Sequence, residues 1–449
     1  MAKEKSQEVI LEDNKYFKMC DIEIQEDQVE FWEVNETISE LAYLTHSYFR
    51  YYGKFPSKIG KLIIDDMVDR ERITSENDYI LDNYAGSGTT LVEAKIKGFD
   101  SFGVDINPFA VLACKVKTRN YDTQKLEKHW EHLYRDIVTY NHTFLNPEEI
   151  LIGLGDVIDC IKEKIENEKA AFIEKNKDAL KWFSDNTITQ LSIIKILLLE
   201  MEIDDYRDFF ELAFFAIIRR VSTAFDGEVR PHVNKKKRTR DVLDAYSKKV
   251  CEMIDLMKEW NQVTRADVKS DSTLCNNADA DRINEFVDKC NKLTNKQLGL
   301  VISHPPYLNC FDYIPVFKLK FMWSAGFDDI FYGENYKSIK DMEIKSYPAT
   351  TESNIEAYFE HNRKVYQIIY NNMRDGGYCC VVIGDCTVKG KLFAVHKAFI
   401  TMLKEIGFEF EKVAYRSTSY GMGQYAYKFR ADYNENADRK KDGVLFFRK

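Results

Sequence analysis

Several things are scarce in this chain, and each scarcity removes a class of protein. Proline occurs 8 times and glycine 20 times in 449 residues, so long flexible linkers and low-complexity tracts are not expected. The ten cysteines (Cys20, Cys114, Cys160, Cys251, Cys275, Cys290, Cys310, Cys379, Cys380 and Cys386) include no Cys-x-x-Cys pair. Zinc-ligand spacing is therefore missing, no metal is expected, and a disulfide framework does not suit a chain of this length. The longest apolar run, near Ile193 to Leu199, is too short to cross a bilayer. No apolar segment follows Met1-Ala2-Lys3-Glu4-Lys5 either, so the expectation is a cytoplasmic protein without a signal peptide or a membrane partner. Basic charge is not in excess: the formal net charge is -9, which argues against non-specific coating of nucleic acid.

What is present is a large, aromatic-rich globular chain, 45% hydrophobic with 29 Phe and 26 Tyr, long enough for one big domain or two. Its centre of organisation is Tyr79-Ile80-Leu81-Asp82-Asn83-Tyr84-Ala85-Gly86-Ser87-Gly88-Thr89-Thr90. Tyr79 to Leu81 reads as a short buried strand and Leu91 to Lys97 as a helix. Between them, Gly86 and Gly88 let backbone approach a ligand, and the helix start offers free N–H groups. A second strand, Ser101 to Ile106, carries Asp105 at about twenty residues beyond Gly86, the spacing at which a Rossmann-type fold sets an acid against ribose hydroxyls. The third glycine of the dinucleotide fingerprint is absent, since Thr89 and Thr90 fill that region.

Periodicity divides the rest. Residues 1–44 form an N-terminal arm, with helical spacing from Glu36 to Phe49. Arg50-Tyr51-Tyr52-Gly53-Lys54-Phe55-Pro56-Ser57-Lys58 reads as an aromatic and basic wall over the ligand, ahead of a helix at about Ile59 to Arg70. Residues 45–120 make the cofactor-binding half, and Pro108 to Thr118 is a further helix. Residues 121–270 form a helical insertion, with apolar positions at three- and four-residue steps over Leu126–Tyr140, Pro147–Phe172, Asp178–Met201, Asp204–Ser222 and Val242–Trp260. Within it Arg230, Lys235, Lys236, Lys237, Arg238 and Arg240 cluster in a chain of acidic balance, a loop suited to gripping phosphates. Residues 271–449 return to alternating strands and helices: Leu298–Ser303, Val316–Ser324, Asn354–Met373, Tyr378–Ile383, Phe393–Ile406, Phe408–Arg416 and Val444–Arg448. The fold class is α/β, a doubly wound Rossmann-like sheet with a large helical insertion.

The strand Leu298–Ser303 runs into His304-Pro305-Pro306-Tyr307. Neither proline can donate to a ladder, so the chain leaves the sheet at a carboxyl end, where open α/β folds bind ligands. His304 and the Pro305 carbonyl are acceptors, and Tyr307 is a ring face. Those parts suit a base turned out of its helix, stacked on an aromatic ring and held by its exocyclic NH2. No Pro-Cys dipeptide occurs, so a cysteine nucleophile of the kind used for ring-carbon methylation is not in evidence.

Taken together, these motifs resemble the S-adenosylmethionine-dependent DNA amino-methyltransferases. Asp82 to Ala94 resembles their Asp-Pro-Phe-x-Gly-Ser-Gly-Thr-Thr-x-x-Glu-Ala cofactor motif, with Asn83 in place of the usual proline. Gly103-Val104-Asp105-Ile106-Asn107-Pro108 resembles the ribose-binding segment, and Lys54-Phe55-Pro56-Ser57-Lys58 is similar to the segment covering the methionine end. Ser303 to Tyr313 resembles the Ser-Pro-Pro-Tyr-Leu-Asn-x-Phe-Asp-Tyr run of the cytosine-N4 branch, as do Trp182-Phe183-Ser184 and the terminal Phe446-Phe447-Arg448-Lys449. His304 departs from the family's Ser, Asn or Asp; a neutral imidazole accepts a hydrogen bond and a protonated one does not, so transfer should fall on acidification.

The resemblance implies a class I methyltransferase fold, S-adenosylmethionine as cofactor, double-stranded DNA as substrate and a cognate restriction endonuclease as a partner. It implies methyl transfer to cytosine N4 first and adenine N6 second. Lys54, Phe55, Pro56, Asp82, Tyr84, Ala85, Gly86, Ser87, Gly88, Thr89, Thr90, Asp105, Ile106, Asn107 and Asp279 then belong to the cofactor. His304, Pro305, Pro306 and Tyr307 belong to the chemistry, Asp312 and Tyr313 to the base pocket, and the basic loop to DNA. An RNA amino-methyltransferase, a non-catalytic nucleic-acid-binding relative and a small-molecule N-methyltransferase are the alternatives.

Overall fold

The computed structural model describes residues 15–145, 155–309, 311–327, 335–348, 351–416 and 442–449. The start of the N-terminal arm, Pro147 and Cys310 of the motifs above lie outside the described residues. The framework is an eight-stranded sheet built from β1 (Val29–Trp32), β2 (Asp78–Asp82), β3 (Ser101–Asp105), β4 (Ser270–Leu274), β5 (Gln297–Ser303), β6 (Tyr378–Gly384), β9 (Glu409–Arg416) and β10 (Asp442–Arg448), in the order β1-β9-β10-β6-β5-β2-β3-β4. A small hairpin, β7 (Cys386–Val388) with β8 (Lys391–Phe393), stands apart. Strands β4-β3-β2-β5-β6 run parallel, and β10 is antiparallel to both of its neighbours. The parallel strands are continuous apolar runs, β2, β3 and β6 being buried at every position, as expected of a sheet covered on both faces.

The chain winds from β2 outward to β3 and β4, then returns to β5 and winds the other way to β6. The pair β2 and β5, in parallel register with Leu81 opposite Val301, is therefore the point where strand order reverses, and a crevice opens there beyond the carboxyl ends. The helices that flank this crevice are α1 (Ser57–Asp69), α2 (Thr89–Ile96) and α3 (Pro108–Thr118), the last started by Pro108 with Asn107 capping the Phe109 N–H at 3.1 Å.

The insertion consists of α4 (Thr123–Leu145), α5 (Gly155–Lys175), α6 (Asp185–Glu200), α7 (Asp205–Val221) and α8 (Val242–Val263). Its core is not separate: Phe210, Phe214 and Trp260 share one apolar cluster with Phe109 of α3 and with Phe317 and Trp323. The insertion is thus seated on the cofactor half, and its packing fixes the 314–327 segment after β5.

Four local readings differ. Glu36–Phe49 forms two short 3-10 turns, Glu40–Ala42 and Leu44–Ser47, rather than an α-helix. The run Asp178–Met201 breaks at Phe183, where the Ser184 hydroxyl accepts the Thr187 N–H at 3.2 Å and starts a new helix. Strand β4 carries no strong sequence signal, being half-exposed with a polar sequence, Ser-Asp-Ser-Thr-Leu, whereas the helix after it, α9 (Ala280–Thr294), does show Ile283, Phe286, Val287 and Cys290 at helical spacing, a signal that sequence reasoning missed. Val316–Ser324 is the end of a 3-10 turn, Ile314–Phe317, followed by one helical turn, Lys318–Met322, rather than a continuous helix.

Candidate active site

Beyond the ends of β2 and β5 lies a cleft of about 760 Å³, its open mouth included. Three of its walls carry the sequence motifs. The loop after β2 contributes Tyr84, Ala85, Gly86 and Thr89, the end of β3 contributes Asp105, Ile106 and Asn107, and the loop after β5 contributes His304 and Pro306. The structure therefore brings both sequence-predicted loops to one cavity.

Gly86 (φ +50°) and Gly88 (φ +73°) adopt left-handed backbone, which side-chain-bearing residues avoid. A Cβ on Gly88 would stand 3.0 Å from Cys114 Sγ and 3.2 Å from Cys114 Cα, and one on Gly86 3.3 Å from the Tyr51 ring. The loop is held by short-range bonds: Ala85 N donates to Val104 O at 3.0 Å, Gly88 N to Ala85 O at 2.8 Å, and Gly86 N to Asp105 Oδ2 at 2.8 Å. From below, the buried Lys117 ammonium donates to Ser87 O; burial first, then the nearby Lys54, pushes it down to about 7. Behind the loop, Tyr43 and His46 both meet Glu93 of α2, whose carboxyl is pushed up to about 7 by burial.

Asp105 accepts Gly86 N–H on one oxygen and Asn107 N–H on the other, both at 2.8 Å. Each carboxylate oxygen has two lone pairs, so one remains on each for a ligand hydroxyl. Burial pushes Asp105 up to about 6 against the pull of those N–H bonds. Asp82 accepts the Tyr84 N–H at 3.0 Å and is pushed up to about 7, by burial first, with the Asp105 charge adding to it. Asp82 is fully buried and braces the loop from behind the cleft wall. Thr89 Oγ1, on the wall, is buried without a hydrogen-bond partner. A cradle that tolerates no Cβ, a half-occupied acid and an unanswered hydroxyl fit a nucleoside cofactor of the expected kind.

On the opposite rim, the Tyr358 hydroxyl donates to Pro306 O at 2.8 Å, and Ser303 Oγ pairs with the Tyr366 hydroxyl at 2.8 Å. Both tyrosines belong to helix α11 (Glu352–Asn372), which thereby fixes where β5 ends; the short helix before it, Tyr336–Met342, is α10. His304 lies edge-on to Phe55 and to Tyr307, each with ring centroids 5.2 Å apart.

Tyr307 is placed differently from the expectation of an open ring face. It is only 8% exposed and is not on the cleft wall. Its ring lies so close to β6 that a Cβ on Gly384 would fall 2.6 Å from it. Its hydroxyl donates to Asp442 at 3.1 Å and accepts from Arg416 at 3.1 Å, and those two form a buried ion pair at 2.6 Å. Tyr307 stands one ring behind His304.

Of the other sequence-predicted residues, Lys54, Phe55 and Tyr313 line the cleft, and Pro56 instead precedes α1 as its cap position. Pro305, Ser87, Gly88 and Thr90 lie behind the wall. Asp279 does not reach it: its carboxylate caps α9, accepting Arg282 N–H at 3.2 Å, and the lining residue of that turn is Asn277. Asp312 pairs with Arg230 at 3.2 Å, which ties the basic loop to the segment carrying Tyr313. Lys235, Lys236, Arg238 and Arg240 are exposed, whereas Lys237 turns inward onto the Arg219 and Ala224 carbonyls and Asp226.

Sequence reasoning missed Glu343 and His361. Glu343 lines the cleft and accepts the Tyr313 and Ile314 N–H groups, which staples the Met342–Ile344 segment to the rim. Burial pushes its carboxyl up to about 7. His361 of α11 lines the same cavity and is pushed down to about 4 by burial and then by Lys364. Neither sits in a recognisable pattern.

A doubly wound sheet with a glycine loop and a buried acid at its reversal point is a Rossmann-like α/β arrangement. The sequence similarities are narrower. Residues 4–115 match the sequence model of a family described as DNA methylase, of the N6/N4 type. Three type II methyltransferases are similar to this chain. M.MvaI of Kocuria varians is 23% identical over 269 residues, 59% of this chain and 53% of that protein. M.MjaII of Methanocaldococcus jannaschii is 39% identical over 83 residues, 18% and 14% of the two chains. M.BsoBI of Geobacillus stearothermophilus is 27% identical over 154 residues, 34% and 28%. The chain spans about half, or less, of the length of the curated relatives it matches. Over these stretches the chain is similar to amino-directed DNA methylases, with the branch unresolved. Among the described residues, no helix is long and apolar enough to cross a membrane.

Proposed function

We propose that this protein transfers a methyl group from S-adenosylmethionine to the exocyclic amino nitrogen of a base turned out of double-stranded DNA, cytosine N4 ahead of adenine N6. The observation that carries this reading is the single cleft bordered by the glycine loop with Asp105 on one side and by His304 and Pro306 on the other. S-adenosylmethionine supplies an electrophilic methyl group on a sulfonium sulfur.

The chain's own residues do the rest. Gly86 admits the cofactor close to backbone, and Asp105 takes its ribose hydroxyls on the lone pairs left by Gly86 and Asn107. Asn277 replaces Asp279 as the residue facing the far end of the cofactor. His304 in its neutral form accepts an N–H bond of the target amino group, which favours a pyramidal nitrogen with its lone pair free to attack. Tyr358 is already bonded to the Pro306 carbonyl and keeps the proline pair in place. Tyr307 is a positioning residue that sets the His304 ring edge-on, and the base is walled by Tyr313 and Phe55. The basic loop, joined to this rim through Arg230 and Asp312, meets the phosphates. A cognate restriction endonuclease is the partner that type II relatives suggest.

Tritiated-methyl transfer to duplex DNA and to RNA tests the reading. Label in DNA at an amino nitrogen is expected. Label in RNA alone points to an RNA amino-methyltransferase, and absence of S-adenosylmethionine binding by calorimetry points to a non-catalytic relative.

A further inference from the structure

Next to the cleft wall the chain gathers positive charge and buried hydrogen-bond donors, with the Asp226 and Glu228 carboxylates acting on Arg219 but bonded to none of those donors. Tyr51 and Gly53 belong to the wall; Arg50 and Tyr52 flank them. The Arg50 guanidinium lies 4.8 Å from the Tyr52 ring centre, and the Arg219 guanidinium of α7 lies 5.0 Å from it. Lys320, 7% exposed, holds its ammonium over the rings of Phe49 at 5.1 Å and Phe317 at 5.5 Å. No carboxylate or other hydrogen-bond acceptor among the described residues reaches that ammonium. Arg219 spends both terminal nitrogens on the carbonyls of Phe225, Glu228 and Val229, yet its Nε is buried without a partner, and so is the Tyr52 hydroxyl.

Burial pushes the Lys320 ammonium down to about 7, with the Arg219 and Arg50 charges adding to it. A buried cation without a counter-charge is costly, and so is each buried donor left unanswered. Three such groups in one place, with the exposed Arg50 at their edge, describe a site whose missing component is an anion. The site is also close to the chemistry: the Phe317 ring beneath Lys320 meets Tyr51 with centroids 5.1 Å apart, and Tyr51 packs on Gly86. A base turned into the cleft leaves its own backbone phosphates at the mouth of that cleft.

We propose that Lys320, Arg50, Tyr52 Oη and Arg219 Nε form a binding site for one phosphodiester of the DNA strand that carries the extruded base. This rests on the functional reading above. The site adjoins the basic loop, since Lys237 donates to the Arg219 carbonyl at 3.1 Å, but Lys235, Lys236, Arg238 and Arg240 of that loop are exposed and meet phosphate from solvent.

The test uses the full chain as wild type, Lys320→Met and Arg50→Gln. Affinity for a fluorescent DNA duplex is measured from low to moderate KCl, and the thermal midpoint is measured in inorganic phosphate against chloride at equal ionic strength. A variant that no longer neutralises its phosphate should show a plot of log Kd against log salt shallower by about 1. Phosphate should raise the midpoint of the wild type and not that of Lys320→Met, while S-adenosylmethionine affinity stays unchanged in both variants. Arg50 is exposed, so its variant carries the test if Lys320→Met fails to fold. Wild-type slope and phosphate response in the variants overturn the proposal and leave the DNA reading standing. A phosphate response that the variants lose, in a protein with no affinity for duplex, supports the anion site and sinks the DNA reading instead.

Discussion

The two rims of the cleft are built in opposite ways. The rim after β2 is held mostly by its near surroundings: Gly86 bonds to Asp105, Ala85 to Val104, and Gly88 to Ala85, with Asn277 on the Asn83 carbonyl and Asn362 on the Tyr84 hydroxyl as distant additions. The rim after β5 is held by residues far along the chain: Pro306 by Tyr358, Ser303 by Tyr366, Tyr307 by Arg416 and Asp442, and Tyr313 by Glu343. A rim made from local backbone geometry tolerates little substitution within itself. A rim propped from afar can be disturbed by changes that touch no ligand.

The largest expected effect lies on the local rim. Gly88→Val forces a branched side chain into left-handed backbone and onto Cys114, strain of about 1–3 kcal/mol before any clash is counted. S-adenosylmethionine binding should weaken on the order of 100-fold or more, which calorimetry reads. The propped rim answers with Tyr307→Ala: with His304 released, kcat for methyl transfer should drop on the order of 100-fold, while cofactor affinity stays at its wild-type value. Tyr307→Phe keeps the ring but withdraws a partner from the buried Arg416–Asp442 pair, costing about 1–3 kcal/mol in urea unfolding with a smaller loss of kcat. Loss of cofactor affinity in Tyr307→Ala would break the distinction between the rims.

Acid separates them further. Asp105 must be ionised to accept four hydrogen bonds, two from backbone and two from a ribose. With its carboxyl at about 6, cofactor affinity should fall by about tenfold per pH unit below that point, and Asp105→Asn should flatten the profile at a lower affinity. The sign for stability is the reverse. Asp82 and Asp105 both titrate higher folded than unfolded, so the native state holds more protons and stability declines as pH rises from about 4 towards 7. Isothermal titration and urea midpoints across that range read the two trends.

The smallest effects concern the basic loop. Lys235→Ala and Lys236→Ala, both at exposed positions, should each reduce the salt slope of duplex binding by about 1. Lys237→Ala should instead cost stability, about 1 kcal/mol for its inward bonds, with the slope unchanged.

The same contrast decides what the sequence discloses. A glycine loop, the acid beyond it and a proline pair at a strand end are short patterns with fixed local consequences, so the doubly wound sheet, the glycine loop and Asp105 were legible, as was the arrival of His304 at the same cavity. Glu343 and the prop on Tyr307 were not, because they depend on which distant elements pack beside β5. Asn277 was half legible: its polar turn is visible, but the acid that the turn offers, Asp279, spends its side chain on capping α9. Lys237 looks like its neighbours because composition does not say which cation turns inward.

Single-molecule sequencing of DNA from a methylation-free host tests the central claim, that the two rims share one cleft in which an amino nitrogen is methylated. Host DNA expressing the wild-type chain should carry an amino-methylated base, cytosine N4 first, in one short sequence context, and DNA from hosts expressing Gly88→Val or Tyr307→Ala should not. Unmodified DNA from a host making folded wild-type protein that binds S-adenosylmethionine would contradict it.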